Sequence, residues 1–251
     1  MTVVTSENKA AFANTASRYD AAAFARETLA HWTSLAALFD HTLLKPEATR
    51  EQVIQLCQEA ATYRFACAMV NPAWVALAVS VLAGSGVPVG AVAGFPLGAS
   101  LATTKRAETE ALVKLGAKEI DMVLNVGALK SGEHLRVGED IRGVVQVAHD
   151  GGALVKVILE TCLLSLPEKL LASELALQAG ADFLKTSTGF SSGGATPDDV
   201  AILRGVAGTL CGVKASGGIK TLAHVRAMLE SGANRIGASA SVAIVRELGA
   251  P

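Results

Sequence analysis

The sequence predicts a single α/β domain of the (β/α)8 barrel class. Eight short strand candidates follow one another from residue 36 onward, most of them near-continuous apolar runs rich in Val, Ile or Leu. Parallel strands buried on both faces read this way. Helix-like stretches lie between them, so strand and helix alternate along the chain. The length of 251 residues suits one barrel better than two domains. An open doubly wound sheet is the alternative, but no Gly-x-Gly-x-x-Gly turn follows the first strand candidate.

Residues 1–34 are Ala-rich, carry Glu7, Asp20 and Glu27, and lack the hydrophobic core of a secretory signal. They predict an N-terminal helical extension ahead of a barrel domain spanning 35–251. The first strand candidate is Ala36–Leu43. After it, Thr49-Arg-Glu-Gln52 fits a capping box, with Val53, Leu56, Cys57 and Ala60 at helical spacing behind it. The second candidate, Ala66–Asn71, runs into Asn71-Pro72, which puts proline in a first helical turn. Val87–Phe95, Glu119–Asn125 and Leu154–Thr161 are the third to fifth. Asp182–Ser187, Gly212–Ser216 and Asn234–Ser239 complete the set, and Thr196-Pro197 opens the helix between the sixth and seventh. Gly116-Ala117, Gly180-Ala181 and Gly232-Ala233 each close a helical stretch shortly before a strand, where glycine supplies a left-handed cap.

Composition excludes several function classes. Apolar residues make up 51% of the chain and charged residues 18%, enough for a large core. Net charge is −1 with scattered basic residues and few aromatics, which argues against nucleic-acid and membrane-surface binding. No apolar run reaches the ~18 residues that span a bilayer. Cys57, Cys67, Cys162 and Cys211 show no CxxC spacing and lie in apolar stretches. They predict reduced core thiols and a cytoplasmic location.

The informative residues are ionisable groups inside the apolar runs. Lys185 stands in Ala-Asp-Phe-Leu-Lys-Thr-Ser-Thr-Gly-Phe (181–190), and Lys214 in Cys-Gly-Val-Lys-Ala-Ser-Gly-Gly-Ile (211–219). Desolvating an ammonium costs several kcal/mol unless it is paired or loses its proton. A lysine that loses its proton readily is a nucleophile toward carbonyls, and a second cation nearby is one way to achieve that. Asp40 on the first strand, Asp121 on the fourth, and Lys156 and Glu160 on the fifth extend the set. A barrel gathers such residues at the C-terminal ends of its strands. Ion pairs holding strands in register would explain any one of them, but burying the whole set without a function is costly.

Ser187-Thr188-Gly189 after the sixth strand, Gly217-Gly218 after the seventh and Gly237-Ala238-Ser239 at the eighth add small-residue turns. Adjacent turns of this kind make the common barrel phosphate site, with Ser239 and the amides near Gly189 and Gly218 as donors. The histidines, His31, His41, His134, His149 and His224, are dispersed and have no metal-ligand spacing. Only His41 lies near a strand. A Gly-x-Ser-x-Gly elbow for a serine nucleophile is absent.

These motifs resemble the deoxyribose-phosphate aldolase family of class I aldolases. The likeness runs from about Leu38 to Glu247 and includes Asp40-His-Thr-Leu-Leu-Lys-Pro46, Val70-Asn-Pro72, Gly94-Phe-Pro-Leu-Gly98, Glu119-Ile-Asp-Met-Val-Leu-Asn125 and Lys156-Val-Ile-Leu-Glu-Thr161. Its most specific pieces are Lys185-Thr-Ser-Thr-Gly189 and Lys214-Ala-Ser-Gly-Gly218. The resemblance implies Lys185 as the Schiff-base lysine, Lys214 as the neighbour that lowers its pKa, and Asp121 as proton donor or acceptor through a water. Lys156 and Asp40 would support that pocket, with Thr186 beside them, and Gly189, Gly218 and Ser239 would bind the substrate phosphate. No metal and no cofactor are implied. The partners are a small sugar phosphate and aldehydes, and the chain is expected to form a homo-oligomer, taken as a dimer.

The chain departs from the family's pattern in three places. The arm before Leu35 is longer than the shortest members carry. The sequence ends at Pro251 without the tyrosine-ended tail that some members fold over the site. Phe190 follows Gly189 where some members place a phosphate-contacting lysine. The activity implied is reversible cleavage of 2-deoxy-D-ribose 5-phosphate to acetaldehyde and D-glyceraldehyde 3-phosphate, which suits deoxynucleoside breakdown. Another class I aldolase, a phosphate-binding barrel isomerase and a non-catalytic barrel are the alternatives.

Overall fold

The structure, a computed structural model, describes residues 19–251. Two helices precede the barrel: α1 (Ala21–Thr28), capped by the Asp20 carboxylate on the Ala23 amide at 2.8 Å, and α2 (Trp32–Ala36). Both begin within the expected N-terminal helical extension, whose residues 1–18 lie outside the described ones. The strands are β1 (Phe39–Leu43), β2 (Cys67–Val70), β3 (Val89–Ala93) and β4 (Glu119–Val123), then β5 (Leu154–Ile158), β6 (Phe183–Lys185), β7 (Gly212–Ser216) and β8 (Arg235–Ala238). Each pairs in parallel with the next, and β8 returns to β1 to close the barrel. The closure rules out the open sheet.

Helices α3 (Arg50–Tyr63), α4 (Val75–Val81) and α5 (Ala102–Lys114) follow the first three strands. After β4 come α6 (Val126–Lys130) and α7 (His134–Asp150). The remaining strands are followed by α8 (Leu166–Gln178), α9 (Pro197–Ala207), α10 (Leu222–Glu230) and α11 (Ser241–Glu247). Local chemistry sets their ends as the sequence predicts. Thr49 and Gln52 form the capping box of α3, whose Val53, Leu56, Cys57 and Ala60 are buried. Gly116, Gly180 and Gly232 take φ of 103°, 90° and 112°. The next amide after each, on Ala117, Ala181 or Ala233, reaches back to the Leu112, Ala176 or Met228 carbonyl at 3.0–3.1 Å. This double closure satisfies carbonyls that the helix leaves open, and a side chain at the glycine would oppose it.

All the strands but β7 are shorter than predicted, β1, β3, β5 and β6 by three residues or more. Ala36 ends α2 instead of opening β1, β5 stops at Ile158, and β6 keeps only Phe183–Lys185. Apolar runs mark burial, which helix ends and loop starts share with strands. Most of the core lies between the barrel and its helices. Inside the barrel, Leu44, Cys67, Met69 and Val92 form a small apolar cluster with Phe95 packed against it. Cys57, Cys67 and Cys211 are buried free thiols, but Cys162 is exposed in the 3-10 turn Thr161–Leu163, so it is no core thiol. Among the described residues, no helix is long and apolar enough to cross a membrane.

Candidate active site

Side chains on a barrel strand alternate between the interior and the helix layer. The register makes Asp121 a partner of Lys156, Lys185 of Lys214, and Lys214 of Arg235, so each pair shares a face. That face is the interior. Asp40, Asp121, Lys156, Lys185 and Lys214, predicted from the sequence to converge, do so there, together with Glu119 and Arg235.

The contacts form one network. Asp121 Oδ2 accepts from Lys185 Nζ at 2.7 Å and from Lys214 Nζ at 2.6 Å, and its Oδ1 accepts from Lys156 Nζ at 2.8 Å. Lys214 also donates to Asp40. Lys156 further reaches Glu119 at 2.5 Å and Asp40 at 3.3 Å. The three lysines therefore differ. Lys156 faces three carboxylates, Lys214 faces two, and Lys185 faces Asp121 alone. A glycine makes room for one of them. A Cβ on Gly237 would lie 2.9 Å from Lys214 Cε.

Electrostatics follow from this wiring. Burial is the largest influence on Lys185 and pushes its ammonium down to about 8; Asp121 opposes that shift, and Lys214 adds to it. Lys156 is buried as deeply, yet Asp121, Asp40 and Glu119 together outweigh burial and hold it well above the usual lysine value. Burial is also the largest single influence on Asp121 and would raise it. Lys156, Lys185 and Lys214 together reverse the sign and keep it ionised well below the usual carboxylate range. Lys214 pushes Lys185 in the same direction as burial, and desolvation contributes more.

A cavity of about 360 Å³ opens onto the network from the C-terminal ends of the strands. Of the three barrel lysines, only Lys185 lines it. Gly189, Gly218 and Ser239 line it as the sequence predicts, and so do Lys45, Phe190 and Lys220. The turns after β6 and β7 touch backbone to backbone. The Ala195 amide donates to the Gly217 carbonyl at 3.0 Å, and a Cβ on Gly194 would lie 2.3 Å from that oxygen. Gly189, Gly217 and Gly218 have φ of 85°, 88° and 79°, which lets these turns follow each other closely. Thr186 does not face the cavity. Its hydroxyl donates to the Ser216 carbonyl and accepts from the Ser216 amide, each at 3.1 Å, so it ties β6 to β7.

The residues of this site and fold match the DeoC/LacD family aldolase profile over residues 34–247. The chain belongs to this family. It is 56% identical over 212 residues to the deoxyribose-phosphate aldolase of Bacillus mycoides, covering 84% of this chain and 95% of that protein. It is 58% identical over 214 residues to that of Shouchella clausii, covering 85% and 95%. The solved deoxyribose phosphate aldolase of Aeropyrum pernix, described as a unique tetrameric structure, superposes with a TM-score of 0.84 at 35% identity, covering 91% of this chain and 96% of that one.

Several residues of this aldolase lie elsewhere than expected. Glu160 falls beyond β5, not on it, in a left-handed conformation with φ of 56°. It accepts from the Thr188 hydroxyl and, at 3.2 Å, from the Thr188 amide, so it holds the turn after β6 rather than joining the lysines. His41 points away from the network toward α3, donating or accepting at 2.8 Å with Glu59. Among the described residues, the donors that could hold a metal ion are Asp40, Cys67 and Glu119. They fit one poorly. Lys156 and Arg235 already occupy the carboxylates, and burial foremost, with Glu119 and Asp40, keeps the Cys67 thiol protonated.

Glu119 and Arg235 were missed in the sequence, although Glu119 lies two residues before Asp121 and so shares its face. Lys45 and Lys220 were also missed as site residues. Their signal was proximity, because Lys45 lies within the Asp40–Pro46 motif and Lys220 two residues beyond Gly218.

Proposed function

We propose that this aldolase cleaves 2-deoxy-D-ribose 5-phosphate reversibly to acetaldehyde and D-glyceraldehyde 3-phosphate, through a Schiff base on Lys185. The observation that carries the assignment is the standing of Lys185 among the barrel lysines. It alone lines the cavity, and it alone has a single carboxylate partner. With its ammonium at about 8, a useful fraction is neutral amine near neutral pH.

The amine attacks the C1 aldehyde to give a carbinolamine, and loss of water leaves an iminium ion. A base removes the proton of the C3 hydroxyl, the C3 oxygen forms its carbonyl, and the C2–C3 bond breaks. Its electron pair moves to C2 and neutralises the iminium nitrogen as an enamine, while D-glyceraldehyde 3-phosphate departs. Protonation of the enamine at C2 restores an iminium ion, and water hydrolyses it to acetaldehyde and free Lys185. Asp121, through a water, and Lys214 shuttle the protons. The iminium ion is the electron sink, so this route draws on no other electrophile. Asp40 and Lys156 hold Lys214 and Asp121 in place.

At the far end, Gly189, Gly218 and Ser239 offer amides and a hydroxyl to the phosphate, with Lys45 and Lys220 beside them and, among the described residues, no carboxylate lining the cavity. Phe190 leaves the place of the lysine found in some members to these two cations. Free thiols at Cys57, Cys67, Cys162 and Cys211 support a cytoplasmic setting. A homo-oligomer belongs to the same reading, with a dimer as its simplest form, and sedimentation would check it.

The deciding experiment is borohydride reduction in the presence of acetaldehyde, followed by peptide mass analysis. A 28 Da order of mass gain, about that of an ethyl group replacing hydrogen, is expected on Lys185 alone. An adduct on another lysine, or none, would overturn the assignment.

A further inference from the structure

Below the reacting groups, two charged residues have no part in the proton transfers just described. Arg235 opens β8, and Glu119 opens β4 across the barrel. The guanidinium spans the interior. Its Nε donates to Asp40 Oδ1 at 2.5 Å, and one terminal nitrogen donates to both Glu119 oxygens at 2.8 and 2.7 Å. Glu119 then accepts from Lys156 at 2.5 Å. The pair thus grips the two groups that support Lys214 and Asp121, while neither residue lines the cavity.

Seven of the eight strands around the interior enter the charge balance. β1 contributes Asp40, β2 the thiol of Cys67, β4 Glu119 and Asp121, β5 Lys156, β6 Lys185, β7 Lys214 and β8 Arg235; β3 contributes no titratable group. The cations Lys156, Lys185, Lys214 and Arg235 exceed the carboxylates Asp40, Glu119 and Asp121 by one. Arg235 keeps its charge at any working pH, and Lys156 is held by three carboxylates. A buried cluster with one surplus cation relaxes by releasing one proton, and the least paired ammonium releases it most readily. That ammonium is Lys185.

We propose that Arg235 and Glu119 are positioning residues whose opposite charges balance each other, which leaves the interior with the single surplus positive charge that Lys185 sheds to become a nucleophile. The proposal rests on the assignment of Lys185 as the Schiff-base lysine. Removing the fixed cation should make Lys185 hold its proton more tightly, and removing the Glu119 charge should do the reverse.

The test measures borohydride-trapped acetaldehyde adduct on Lys185 against pH in the full-length chain. R235Q is expected to move the midpoint up by on the order of one pH unit, and E119Q down by a similar amount. The double variant R235Q/E119Q should return close to the unsubstituted midpoint, and R235K should hold it. Loss of adduct amplitude with unmoved midpoints, or shifts of one sign in both single variants, would overturn the proposal. If R235Q fails to fold by circular dichroism, E119Q and the double variant decide by the same signs. Failure of all three to fold would make the pair purely structural and overturn the proposal too. An unsubstituted chain that gives no Lys185 adduct would instead strike the Schiff-base assignment.

Discussion

Lys185 and Lys214 are register partners on neighbouring strands, and both ammonium groups donate to one oxygen, Asp121 Oδ2, at 2.7 and 2.6 Å. A single acceptor therefore holds two like charges within a few ångströms of each other. In the proposed Schiff base on Lys185, that oxygen would keep Lys214 as its partner and stay beside the reacting atoms. The shared acceptor would give a proton lost by one lysine a short path to the other.

Imine formation should follow the neutral amine of Lys185. The rate of acetaldehyde trapping is expected to rise with pH through a midpoint near 8. In Lys214→Leu, loss of the neighbouring cation should move that midpoint up. Burial, the larger influence, persists in the variant, so the midpoint should stay below the ordinary lysine value. Turnover should fall on the order of 100-fold with the fold retained. Full turnover near neutral pH would remove Lys214 from the mechanism.

Asp121→Asn should separate the steps. Asp121 opposes deprotonation of Lys185, so trapping should persist and its midpoint should fall. Turnover should drop between about 100- and 10,000-fold, because the proton shuttle is gone. Three ammonium groups also lose a partner, which should cost about 3 kcal/mol in denaturant unfolding. Equal losses of trapping and turnover would contradict the assigned role.

Gly237→Ala tests packing at the site. The added methyl would meet Lys214 Cε at 2.9 Å and displace the ammonium from Asp121. About a tenfold loss of kcat is expected with little change in melting temperature. An unaltered kcat would mean that Lys214 can shift without consequence.

The phosphate end should be readable by substrate comparison. Lys220→Ala and Lys45→Ala are expected to raise KM for the phosphorylated sugar, each on the order of tenfold, and to leave KM for free 2-deoxyribose unchanged. Glu160→Ala, which frees the turn at Thr188, should raise the same KM with a smaller effect on kcat. Parallel losses on both sugars would move the phosphate away from these residues.

Much of the barrel was legible because its signals are local. A glycine two residues past a helix end, or proline in a first turn, acts through its nearest neighbours. Lys185 and Lys214 stood out because charge in an apolar strand is costly anywhere in the chain. Arg235 did not, because it opens its strand and looks like an ordinary basic residue. What makes it part of the site is Glu119, 116 residues away in sequence. Glu160 was misplaced for a related reason: its apolar neighbours continue past Ile158, while its left-handed backbone follows from its contact with Thr188. Thr186 sits in a site motif but serves the strand pairing.

The contact between Gly194 and Gly217 limits how such a site can diversify. With a Cβ excluded by a carbonyl 2.3 Å away, neither turn can be exchanged for a bulkier one while the other stays as it is. Recombination between relatives that broke the chain between residues 194 and 217 would pair turns shaped for different neighbours. The two turns are therefore expected to travel through chimeras as one inherited block, with any change of preference at the phosphate end carried by both together.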